Sequence, residues 1–267
     1  MTSPVALITA GSAGLGASTA KAFAAMGLRV AVNYSSNESR ANTLIYELES
    51  TLSTGSGQWA NGKVGTGNNK RFVAIRADVS SRPEVEKLVS TTIQELGRLD
   101  IVFSNHGWTK LTNFPNLSEN VNEEDWDKCW NMNVKSHLWL FNSAKGHLEH
   151  SSMKGGGCFI TTSSIAGVGV MGSSLAYSVT KSAQIHLAKC LASISGTSNI
   201  RVNSVSPGMM MTEWSSSFPE SKRNAAIRKT KLGRLTEVKD AAEQVCSFVK
   251  NSSITGANVV IDCGSIL

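Results

Sequence analysis

The sequence lacks the features that would tie it to a membrane, a disulfide scaffold or a metal. Nowhere in its 267 residues is there a run approaching the roughly 18 apolar residues that span a bilayer. The early apolar run Val5-Ala6-Leu7-Ile8 has no basic segment before it and is too short for a secretory leader, so it reads as a first strand. Cysteines number only five, at 129, 158, 190, 246 and 263, with no CxxC among them. An odd, scattered set predicts neither a disulfide framework nor a zinc site, but reduced packing thiols in a cytoplasmic protein with no metal. Lys and Arg total 26 against 20 Asp and Glu, a net charge of +6, yet the basic residues are dispersed. Such a surface suits an anionic cofactor better than nucleic acid, and neither a nucleic-acid nor a membrane partner is expected. There is no internal repeat and no domain linker.

What is present is a regular alternation. Hydrophobic residues make up 41% of the chain, enough for one large core. Short apolar runs at 5–9, 29–33, 71–77, 101–104, 157–162, 200–206 and 258–261 alternate with helical patterns at 14–26, 38–52, 83–96, 123–148, 174–194 and 238–249. Most of the runs are continuously apolar, as in strands covered on both faces. This predicts an α/β chain whose residues 1–267 form a single-domain Rossmann fold, a doubly wound parallel sheet of about seven strands with helices on both faces. Ligands of such sheets bind outside the carboxyl ends of the strands. Two segments break the rhythm. Residues 53–69 are rich in Gly, Asn, Ser and Thr and read as an exposed insertion. Residues 209–230 follow a Pro-Gly, contain Trp214, Phe218 and Pro219, and read as a lid over a substrate.

The first strand runs into Thr9-Ala10-Gly11-Ser12-Ala13-Gly14-Leu15-Gly16. Small residues there let backbone N–H groups approach a pyrophosphate at the N-terminus of the next helix. A glycine-rich turn also serves purely structural ends; its place between a strand and a helix at the start of the chain favours the phosphate role. The second strand ends in Asn33-Tyr34-Ser35-Ser36, with no carboxylate before Glu38. An acid there would accept the ribose hydroxyls of NAD and repel a 2′-phosphate. Ser35, Ser36 and Arg40 instead predict a preference for NADP(H).

Tyr177 and Lys181 lie four residues apart in a helical stretch and so share a face. An ammonium beside a phenol lowers the phenol pKa from about 10 toward working pH, making Tyr177 a general acid for ketone reduction or a base for alcohol oxidation. The spacing alone is common in helices. Ser164 adds weight: it lies 13 residues before Tyr177, just past a strand, where a hydroxyl can polarise a carbonyl. Asn133 sits within a long helical stretch where an amide is a poor helix former, so a specific task is expected of it.

Taken together these motifs resemble the short-chain dehydrogenase/reductase superfamily, its so-called classical branch, from about Val5 to Gly264. The matching residues are Thr9 to Gly16, Asp78 in Ala77-Asp78-Val79, Ser104-Asn105-His106-Gly107, then Asn133, Ser164, Tyr177 and Lys181, and finally Pro207-Gly208-Met209-Met210-Met211-Thr212. The resemblance implies that Tyr177 transfers the proton, Ser164 holds the substrate oxygen, Lys181 binds the nicotinamide ribose and tunes Tyr177, and Asn133 anchors a water of a proton relay. It implies cofactor contacts for Thr9, Gly11, Ser12, Gly14, Leu15, Gly16, Tyr34, Ser35, Ser36, Asp78 and Val79. Further contacts fall to Asn105, Gly107, Pro207, Gly208, Met210 and Thr212. It also implies a homodimer or homotetramer built on the helices at 123–148 and 174–194.

Three departures stand out. Ala10 replaces the first glycine of the loop, which requires φ < 0 at that residue; His106 stands where the family usually has alanine; and residues 53–69 lengthen a crossover. His106 reads as a packed, hydrogen-bonded histidine rather than a general base. Trp108 lines the substrate pocket or covers the sheet end, while Trp126, Trp130 and Trp139 read as core or subunit contacts. The expected function is NADPH-dependent reduction of a ketone or aldehyde on a medium-sized, fairly apolar substrate, a secondary metabolite being one candidate. Two alternatives stay open: a non-redox step on the same fold, and a nucleotide-sensing protein without turnover.

Overall fold

In the computed structural model, described for residues 3–51, 59, 70–216 and 220–267, the apolar runs pair side by side and in parallel. The strands are β1 (Val5–Ile8), β2 (Arg29–Tyr34), β3 (Phe72–Arg76), β4 (Ile101–Ser104), β5 (Gly157–Thr162), β6 (Ile200–Pro207) and β7 (Asn258–Ile261). Their order across the sheet is β3-β2-β1-β4-β5-β6-β7. This is the doubly wound, seven-stranded parallel sheet that the alternation predicts, with strand ends within a residue or so of expectation. β1, β2, β4 and β6 are buried at every position, so that polar residues such as Asn33 of β2 and Asn203 of β6 also lie inside.

The helices are α1 (Gly14–Ala25), α2 (Glu38–Thr51), α3 (Arg82–Leu96), α4 (Glu123–Trp130), α5 (Ser136–Glu149), α6 (Leu175–Ser195), α7 (Glu213–Ser216), α8 (Glu220–Lys229) and α9 (Val238–Lys250). Phe23 of α1, Leu44 and Leu48 of α2 and Phe248 of α9 fill one face of the sheet with Ile8, Val32, Phe103 and Ile160. Leu88 of α3, Phe141 of α5 and Leu191 of α6 fill the other with Leu7, Val102, Phe159 and Val202. Each fully buried Leu or Phe contributes about 2 kcal/mol. The helical stretch expected at 123–148 is present, with a π-helical turn, Asn131–Lys135, between α4 and α5.

The expected insertion at 53–69 lies outside the described residues, except Trp59, whose backbone N–H donates to the Met26 carbonyl at 3.0 Å. In the expected lid, α7 and α8 are helical; the Trp214 side chain, Phe218 and Pro219 lie outside the described residues. No described helix is long and apolar enough to cross a membrane.

Candidate active site

The direction of the chain reverses across the sheet between β1 and β4, so the loops leaving these strands part and open a crevice at their carboxyl ends. The β1–α1 turn lies there. Gly14 has φ +51°, a conformation that favours glycine. A Cβ on Gly16 would come within 2.4 Å of the Ala10 carbonyl oxygen and 2.8 Å of the Gly11 Cα, so only glycine allows the turn to close this tightly. α1 follows Ala13 as its N-cap, with no side-chain cap and no acid in its first turn. Its N-terminal N–H groups thus lack a side-chain acceptor, the arrangement that suits a bound phosphate. The cradle therefore fits a nicotinamide dinucleotide.

Ala10 has φ +47°, not the negative value that the missing glycine called for. Its side chain is exposed, so the methyl points to open space, and the left-handed backbone is held from both sides. Its N–H donates to Asn33 Oδ1 at 3.2 Å, and the Gly11 N–H to the Asn33 carbonyl at 2.8 Å. Asn33 Nδ2 in turn donates to the Ala77 carbonyl at 3.0 Å. This buried asparagine ties the turn to β2 and to the end of β3. Ser35 and Ser36 are exposed at the end of β2, and Arg76 Nε donates to the Ser35 carbonyl at 3.3 Å. Tyr34 is buried. Arg40 pairs through Nη1 with Glu213 of α7 at 2.6 Å, while its Nε is buried without a partner. Asp78 is exposed and accepts from the Ser80 N–H at 2.9 Å, whereas the Val79 side chain packs into the core.

Thr9 is fully buried, and its hydroxyl accepts the Asn105 N–H at 2.9 Å. Asn105 Nδ2 reaches the Ala10 carbonyl at 3.4 Å and its Oδ1 accepts from Thr162 at 3.0 Å, joining the ends of β1, β4 and β5. Asn133, fully buried in the π turn, accepts the Trp108 N–H at 2.8 Å and donates to the Trp108 carbonyl at 2.9 Å and to Thr180 at 3.0 Å. It fixes the loop after β4 against α6. Gly107 sits where a Cβ would lie 3.1 Å from Lys181 Nζ and 3.2 Å from Asn133 Oδ1.

Ser164 caps the short 3-10 turn Ile165–Gly167, accepting from the Ala166 N–H at 3.2 Å, and hydrogen-bonds the Tyr177 phenol. Tyr177 lies in the first turn of α6, its N–H held by Ser174. Lys181 Nζ lies 5.7 Å from the centre of the Tyr177 ring and donates to the Thr162 carbonyl at 2.7 Å and to Gln184 Oε1 at 2.9 Å. The three side chains thus meet in one place. Their electrostatics differ from the sequence expectation. Burial pushes Tyr177 up to about 12, partly opposed by the Ser164 hydrogen bond. Burial also pushes Lys181 down to about 7, so near neutral pH it carries only part of the charge that would acidify the phenol. Desolvation is the largest cause of both shifts.

Beyond β6, the Gly208 N–H donates to the Ile261 carbonyl at 2.8 Å, Met210 bridges to Thr236, and Thr212 accepts the Ser215 N–H at 3.3 Å at the start of α7. A Cβ on Gly14 would lie 3.4 Å from Thr212 Cγ2, so this segment faces the cradle. A cavity of about 500 Å³ lined by Met211, Ile227, Leu235 and Val238 adjoins α8 and includes none of Ser164, Tyr177 and Lys181.

A family model described as Enoyl-(Acyl carrier protein) reductase matches residues 60–265, well over half of the chain. The chain belongs to the short-chain dehydrogenase/reductase superfamily. It is 28% identical to the 3-oxoacyl-[acyl-carrier-protein] reductase of Thermotoga maritima over 98% of each chain. It is 30% identical to a hydroxynaphthalene reductase of Aspergillus fumigatus, over 79% of this chain and 68% of that one. Among solved structures, a short-chain dehydrogenase of Burkholderia cenocepacia in complex with NADP superposes with a TM-score of 0.84 at 26% identity, covering 100% of this chain and 99% of that one.

Within this superfamily fold the chain places several residues that the sequence reading passed over. His106 is buried as expected, but it stacks on His137 of α5 with ring centroids 4.1 Å apart. Asn120 gathers the loop before α4: its Oδ1 accepts from Thr112 and from the Leu175 N–H, and its carbonyl takes the Trp126 indole N–H at 2.7 Å. Asn33, His137, Gln184 and Asn120 carry no motif spacing. Their partners come from distant parts of the chain, and an isolated polar residue in an apolar stretch was the signal available.

Proposed function

We propose that the chain is an NADPH-dependent carbonyl reductase in which Tyr177 donates the proton. The coarser statement, an oxidoreductase of the C=O/CH–OH couple, follows from its relatives. The observation that carries the finer reading is the convergence of Ser164, Tyr177 and Lys181 beside an uncapped α1 N-terminus. When bound, the nicotinamide would supply the hydride. Gly11, Ser12, Gly14, Leu15 and Gly16 would hold its pyrophosphate, with Thr9 buried behind them supporting the turn. Asp78, Val79 and Asn105 would serve its adenosine half, and Gly107, Lys181, Pro207, Gly208, Met210 and Thr212 its nicotinamide half.

Ser164 would donate its hydroxyl hydrogen to the substrate oxygen, and Tyr177 would pass its phenolic proton to the same atom as negative charge develops there. A phenol held near 12 is protonated throughout the physiological range, which suits the reducing direction. Lys181 would steady the phenolate left behind, and Asn133 would anchor the water through which Lys181 is recharged. Preference for the 2′-phosphate is supported by exposed Ser35 and Ser36, the absence of an acid at the end of β2, and the nearby Arg40 and Arg76. Met211, half exposed in the lid, supports an apolar, medium-sized carbonyl substrate, and the relative named for reducing a hydroxynaphthalene fits that class. The exposed apolar residues Trp130, Leu138 and Val179 on α4, α5 and α6 support a homodimer or homotetramer.

The test is a panel of ketones and aldehydes assayed by nicotinamide absorbance with each cofactor. The expected outcome is turnover with kcat/KM for NADPH at least about tenfold above NADH, the effect of one charge-assisted contact. A preference for NADH overturns the cofactor assignment; turnover without NADPH consumption favours a non-redox step.

A further inference from the structure

Behind Lys181 lies a buried polar chain. Lys181 Nζ donates to Gln184 Oε1 at 2.9 Å, Gln184 Nε2 lies 3.0 Å from His137 Nε2, and His137 Nδ1 lies 2.6 Å from the Ser104 hydroxyl. His106, stacked on His137 with 9° between the ring planes, lies 2.8 Å through Nδ1 from the Thr9 hydroxyl and 2.7 Å through Nε2 from the Ser136 hydroxyl. All these side chains are buried.

With Lys181 charged, the form that reduction needs, hydrogen-bond chemistry favours one assignment. An ammonium only donates, so Gln184 must present its oxygen to Lys181 and its amide hydrogens to His137 Nε2. That nitrogen must accept, and a neutral His137 then carries its proton on Nδ1 and donates to Ser104. The Ser136 hydroxyl donates to the Met132 carbonyl at 2.8 Å. It therefore accepts from His106 Nε2–H, leaving His106 Nδ1 to accept from the Thr9 hydroxyl at 2.8 Å, a closer acceptor than the Phe103 carbonyl at 3.5 Å. The stacked rings are neutral and of opposite tautomer. Burial, reinforced by Lys181, holds His106 down at about 3, and burial first of all holds His137 low as well.

The titratable groups facing Lys181 are Tyr177 on its own helix, Cys129 on α4, His106 after β4 and His137 on α5. No carboxylate is among them. The positive charge rests on two neutral acceptors, the Thr162 carbonyl and the Gln184 amide oxygen.

We propose that Gln184 and His137 are positioning residues for the reductase site: His137, locked with its proton on Nδ1, orients the Gln184 amide so that its oxygen holds the Lys181 ammonium. The inference rests on Lys181 serving carbonyl reduction. Reduction needs the charged lysine, so activity is lost as pH rises through its pKa. Gln184→Met keeps the volume and removes the acceptor; the alkaline limb of kcat/KM for reduction moves down by about one pH unit, the loss of one hydrogen bond to a charged group. Gln184→Glu puts an anion there and moves the same limb up. Opposite shifts from two substitutions at one position are not what a packing role produces.

The second readout is nitrogen NMR of histidine-labelled wild-type protein, with His137→Asn for assignment. It is expected to show His137 protonated at Nδ1 and His106 at Nε2. A proton on His137 Nε2, or an alkaline limb unmoved by both Gln184 substitutions, overturns the proposal. If the tautomers are as stated but no carbonyl is turned over, the reductase reading fails and the amide clamp stands; turnover with the opposite His137 tautomer sinks the clamp alone.

Discussion

Ala10 holds a left-handed backbone, φ +47°, that an L-residue adopts at a cost of about 1 kcal/mol relative to glycine. Ala10→Gly is expected to raise the unfolding free energy by about that amount; a variant no more stable than the parent in urea titration contradicts the strain. The buried imidazoles make a second prediction at this scale. His106 and His137 titrate below the ordinary histidine value of 6.5 in the folded protein. Between their folded pKa values and 6.5 the unfolded chain binds more protons, so stability present above pH 6.5 is lost as pH falls through this window. The slope is up to about 1.4 kcal/mol per pH unit for each ring. Urea midpoints should therefore decline from pH 7 to pH 5, and equal midpoints would contradict neutral burial. Ser164, Tyr177 and Lys181 were legible in the sequence because their spacing survives as local geometry. His137 and Gln184 were not, since nothing in the chain marks residues 47 apart as partners.

Among the elements, the strands read clearly because both faces of the sheet are covered, and a largely apolar run needs no register to be recognised. The helical stretch at 123–148 was legible, but the π turn within it was not. A π turn inserts its extra residue without disturbing composition or average periodicity, and the sole trace was an asparagine in mid-helix. The wider turn carries Asn133 inward to both polar groups of the Trp108 backbone. Asn133→Leu leaves the Trp108 N–H and carbonyl without their side-chain partner and is expected to cost about 2 kcal/mol; a loss below about 0.5 kcal/mol in urea titration would mean the turn has another cause. α8 was not foreseen as a helix because it has no buried residue, so no apolar stripe announces it.

Over the whole molecule, one sheet places residues from the ends of β1, β2, β4, β5 and β6 around a single crevice, and the strand order decides where it opens. Thr9, Asn105 and Thr162 lock three of those ends together, so the cradle and the Ser164, Tyr177 and Lys181 cluster keep a fixed spacing. The account stands on the Tyr177 phenol as the proton source. Its most direct test is kcat for reduction of a turned-over ketone by the Tyr177→Phe variant, alongside its NADPH affinity and melting temperature. The account predicts a loss of about two to four decades in kcat, with binding and folding retained; a variant that turns over within a few-fold of the parent would contradict it.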